Sequence, residues 1–64
     1  MNLSPRQLEL LQNCADGMTM KEMAAAIDTS EGGIKSQFRT IREKLEASTT
    51  ANAVAIAIRR SIID

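Results

Sequence analysis

The chain has 64 residues, 44% of them hydrophobic and 25% charged, with eight basic residues balanced by eight acidic ones and no histidine. That length allows one domain, residues 1–64, whose core supplies only about 3–5 kcal/mol, and the composition excludes both a disordered chain and a strongly cationic, indiscriminate nucleic-acid binder. It also argues against an enzyme: His, Trp and Tyr are absent, no glycine-rich phosphate loop is present, and so short a chain can hardly enclose a cleft.

The first helix is predicted to open behind Ser4, with Pro5 at the position where a missing N–H does no harm and Gln7 placed to complete a capping box. Leu10, Leu11 and Cys14 fall near one face, Leu3 lies just outside the cap, and Gly17 is placed to end the helix in a left-handed conformation. Cys14 reads as a small core residue, since a lone cysteine forms no internal disulfide. Without histidine there is no zinc pattern, so neither a metal nor a cofactor is expected.

Thr19 caps a short second helix over about residues 20–27, and Glu22 repeats the capping box. Met23, Ala24 and Ile27 form its buried stripe, Met18 and Met20 read as core and rim filler, and Asp28-Thr29 make a turn. Ser30 then caps a third helix over about residues 31–46, with Glu31 favourably placed in its first turn. Ile34, Phe38, Ile41 and Leu45 fall within about 60° of one another and define a core face. Lys35, Ser36 and Arg39 lie opposite, with Gly32 beside them; Arg42 sits near the boundary and Lys44 near the end. Four of the eight basic residues therefore share one helix, opposed there by Glu31 and Glu43 and, at its very end, Glu46. Ser48-Thr49-Thr50 form a linker and supply the cap of a fourth helix, about residues 51–61. No segment reaches the roughly 18 apolar residues of a membrane span and no basic-then-apolar leader is seen, so the expectation is a reduced, cytoplasmic setting with no membrane partner.

A short capped helix, a turn of about three residues and a second capped helix with a basic outer face is the helix-turn-helix plan. The major groove of DNA admits one α-helix, and small residues such as Gly32, Gly33 and Ser36 let it come close to the base edges. Adjacent glycines lower helix propensity by roughly 1–2 kcal/mol relative to alanine, which close approach to another surface would offset.

Taken together, these residues resemble the LuxR-type (GerE-like) helix-turn-helix domain over nearly the whole chain. Leu3-Ser4-Pro5-Arg6-Gln7 with Leu10-Leu11 looks like the family's opening Leu-Thr-x-Arg-Glu-x-Glu-Val-Leu, and Gly17 with Lys21-Glu22-Met23-Ala24 like its Gly…Lys-Glu-Ile-Ala segment. Ser30-x-x-Gly33-Ile34-Lys35, Ile41-x-x-Lys44-Leu45, Ala53-Val54-x-x-Ala57 and Ile62-Ile63 are similar to its later motifs, in order and without a gap. The resemblance implies an all-α, four-helix domain whose third helix enters the major groove and whose fourth pairs two copies. By position, Lys35, Ser36 and Arg39 would face bases or nearby phosphates, and Lys21, Ser30 and Lys44 would be backbone contacts. Departures from the family pattern are Gly33 for Thr, Gln37 for a frequent His, Thr40 for a frequent Asn, Thr49 for Arg and Ser61 for Gly. Family members are commonly joined to a receiver or sensing domain; here Met1 stands two residues before the motif, which fits a small complete regulator or an excised domain equally.

Several residues keep two readings. Gln37 can read adenine or bond within the domain, Arg42 can meet a phosphate or pair with a neighbouring glutamate, and Lys21 can touch phosphate or be an ordinary exposed lysine. The fourth helix is apolar nearly all round, so Ala53, Val54, Ala57 and Ile58 are candidates for a homodimer interface. The leading expectation is a sequence-specific regulator that binds double-stranded DNA as a dimer. An alternative is a small inhibitor that pairs through the fourth helix with a larger LuxR-type regulator, and a third is a module that docks on RNA polymerase.

Overall fold

In the computed structural model, which describes residues 2–64, four helices start behind hydroxyl caps: α1 (Pro5–Ala15) behind Ser4, α2 (Met20–Ala26) behind Thr19, α3 (Glu31–Leu45) behind Ser30 and α4 (Thr50–Arg59) behind Thr49. Both expected capping boxes form. Ser4 Oγ accepts from the Gln7 N–H at 3.1 Å while Gln7 Oε1 accepts from the Ser4 N–H at 2.9 Å. Thr19 and Glu22 do the same at 3.1 and 2.8 Å. The cap of α3 is one-sided. Ser30 Oγ accepts from the Gly33 N–H at 3.0 Å, and a glycine has no side chain with which to reach back.

The helix ends share one geometry. The residue after the last turn, Gly17, Asp28, Glu46 or Ser61, has a positive φ in every case. Around each, one N–H reaches back three residues and the next reaches back five: Met18 to Asn13, Thr29 to Ala24, Ala47 to Arg42 and Ile62 to Ala57, at 2.8–3.0 Å. These are Schellman motifs, which satisfy the last carbonyls of each helix. They also set the boundaries. Helix α4 stops at Arg59, short of the expected 61, because Ser61 (φ +56) belongs to the terminating turn.

The core forms around α3, which touches α1, α2 and α4. Ile34, Phe38, Ile41 and Leu45 are buried against Leu10 and Leu11 of α1, Met23 and Ala24 of α2, Ala53 and Ala57 of α4, and Ile63 from the tail. The predicted core face of α3 is thus the observed one. No helix among the described residues is long and apolar enough to cross a membrane.

Candidate nucleic-acid interface

Because one stripe of α3 is committed to the core, its opposite side must face solvent. Gly32, Lys35, Ser36 and Arg39 are all exposed there. With Arg42 and with Met20 from the start of α2 they line a shallow depression of about 480 Å³. The one ion pair among the described residues is Arg6–Glu9 at 3.7 Å, so Lys35 and Arg39 pair with no carboxylate among them. A small-residue floor flanked by three cations suits a polyanion that can approach the helix backbone closely.

The two glycines behave differently. A Cβ on Gly33 would lie 2.7 Å from Thr29 Oγ1, so the bare backbone at this position makes room for the turn residue before the cap. A Cβ on Gly32 would meet nothing nearer than Ser30 Oγ at 3.7 Å, so the domain itself does not require a glycine there.

The remaining expected contacts separate into groups. Ser30 and Lys21 are exposed at the starts of α3 and α2, outside the lining of the depression, and the Ser30 hydroxyl already accepts the cap hydrogen bond. Arg42 pairs with no glutamate; its Nη1 donates to Thr50 Oγ1 at 2.9 Å and ties α3 to the start of α4. Gln37 and Lys44 lie on the flank of α3 beside α1, where both take part in hydrogen bonds within the domain. Gln7 Nε2 donates to Gln37 Oε1 at 3.4 Å, and Lys44 Nζ donates to Gln7 Oε1 and to the Asn2 carbonyl, both at 2.9 Å. Sequence reasoning gave Gln7 only its capping role, because bonds between residues so far apart in the chain leave no local signature.

One correction concerns α4. Ala53 and Ala57, expected at a dimer interface, are fully buried inside the domain, where their small side chains let α4 lie close against the core. Val54 is half-buried and packs on the core edge, whereas Ile58 is 47% exposed and Ile62 36%. Cys14 packs against the core as expected, and burial pushes its thiol pKa up.

Compared with known proteins, residues 1–57 match the GerE family, described as bacterial regulatory proteins, luxR family. Over 58 residues the chain is 34% identical to a protein of Bacillus subtilis (strain 168) described as the uncharacterized transcriptional regulatory protein YxjL. That match takes in 91% of this chain and 27% of the relative, so the chain spans about a quarter of the relative's length.

Proposed function

The chain belongs to the luxR family of bacterial regulatory proteins, and from that premise we propose that it regulates transcription by binding double-stranded DNA, with α3 in the major groove and two copies joined through α4. One observation carries the reading: Lys35, Ser36 and Arg39 stand exposed beside Gly32 on the side of α3 opposite the core. Placed in a groove, Gly32 and Ser36 let the first turns approach base edges. Arg39 offers paired donors of the kind that read guanine O6 and N7, and Lys35 neutralises a phosphate. Lys21, Ser30 and Arg42 flank this surface and serve the phosphate backbone. The relative's description as a transcriptional regulatory protein supports the same class of activity.

Zero net charge makes one copy a weak polyanion binder, and a two-fold dimer doubles the number of cations presented to DNA. Ile58, with Ala51 and Ala55 also exposed on α4, is the apolar surface that a second copy would cover. The same surface would serve a small inhibitor that pairs with a larger regulator of the family, in which case the outer face of α3 would stay unused. Selection of bound duplexes from random-sequence DNA separates the two. The regulator enriches a two-fold symmetric sequence with half-sites about one helical turn apart. Absence of any enrichment contradicts DNA reading by this chain.

A further inference from the structure

The flank of α3 turned away from the proposed groove is held by a polar hub. Gln7 is 6% exposed, the one buried polar side chain among the described residues. Its Oε1 accepts from the Ser4 N–H and from Lys44 Nζ, each at 2.9 Å, and its Nε2 donates to Gln37 Oε1 at 3.4 Å. Lys44 Nζ donates a further bond to the Asn2 carbonyl at 2.9 Å. The side chain that closes the capping box of α1 thus also bonds two residues of α3, 30 and 37 positions along the chain.

We infer that Gln7 is a positioning residue for DNA recognition: through Lys44 and Gln37 it fixes the tilt and rotation of α3 so that Lys35 and Arg39 meet the duplex, and Lys44 serves binding without touching DNA. Apolar contact along Ile34, Phe38, Ile41 and Leu45 favours burial but has no direction, so small rolls of α3 change it little. Hydrogen bonds are directional, and a fully satisfied network selects one arrangement. A one-sided cap holds the first turn of α3, which leaves the hub as the directional restraint on the α1 flank. Recognition groups must be held to within about 0.5 Å of the productive geometry, and such supporting contacts do that. Among the described residues the Lys44 ammonium bonds neutral oxygens, so a carboxylate at position 7 would strengthen that link, and it would keep the link to Gln37 by accepting from Gln37 Nε2 once that amide turns over.

This inference rests on the DNA-binding reading, and its test keeps the two apart. The duplex selected by the wild-type chain is titrated between about 50 and 200 mM salt with wild type, Lys44→Met, Lys44→Arg and Gln7→Glu, at a temperature where circular dichroism shows each folded. Lys44→Met is expected to bind roughly tenfold more weakly with the wild-type salt slope, while Lys44→Arg and Gln7→Glu stay close to wild type. A slope reduced by about 0.9 makes Lys44 a phosphate contact and overturns the inference. Unchanged affinity with only a lower melting temperature makes the hub merely structural and overturns it too. If Lys44→Met does not fold, Gln37→Leu is titrated in its place: weaker binding at the wild-type salt slope is expected, and unchanged affinity overturns the inference. A wild-type chain that binds no duplex removes the underlying reading, and the positioning role falls with it.

Discussion

Arg39 and Gly32 share the outer face of α3, and neither is explained by the stability of the domain. Arg39 is exposed, with no carboxylate partner among the described residues, so Arg39→Ala should leave the fold intact. The same change is expected to weaken DNA binding by about 1–3 kcal/mol and to relax specificity at one base position, checked by titrating duplexes with single base changes. Gly32→Ala meets no atom nearer than 3.7 Å in the free domain and should gain up to about 1 kcal/mol of stability from helix propensity. Its methyl group would project into the groove and weaken binding. A Gly32→Ala variant that melts higher yet binds DNA as tightly as wild type would show that close approach is not what the glycine serves.

The helices were legible wherever their signals are local. Ser4 with Gln7, Thr19 with Glu22 and the spacing of Ile34, Phe38, Ile41 and Leu45 each lie within a few turns of chain, and each predicted what the structure contains. Gly17 announced its left-handed turn; Asp28, Glu46 and Ser61 adopt the same conformation without a glycine to announce it. A non-glycine residue there is disfavoured by roughly 1–2 kcal/mol, partly offset because glycine loses more backbone entropy on folding. Ser61→Gly is therefore expected to raise stability by roughly 0.5–1 kcal/mol, read as a higher urea midpoint at unchanged m-value. An unchanged or lower midpoint contradicts strain at that turn. What the sequence pattern left open lies in tertiary pairing: Lys44 with Gln7, Arg42 with Thr50, and which side of the nearly all-apolar α4 faces inward. Periodicity cannot choose a side on such a helix, which is why Ala53 and Ala57 were expected at a surface that they do not reach.

At the scale of the whole molecule, the proposed DNA-binding dimer draws on a neutral chain with one localised cationic face and an exposed isoleucine on α4. Ile58→Asp is expected to leave the fold intact and abolish concentration-dependent dimer formation in sedimentation, because Ile58 is half exposed and lies outside the buried core cluster. Sedimentation of that variant indistinguishable from wild type would place any dimer contact elsewhere. Binding would weaken with it, as each copy then presents its cations alone. The most direct test follows the backbone amide resonances of the chain while the selected duplex is added. The largest shifts should fall between Gly32 and Arg39, with Leu10, Leu11 and Ile63 in the core nearly unmoved. Shifts confined to α4, with the amides of Gly32 to Arg39 unchanged, would contradict a recognition role for α3.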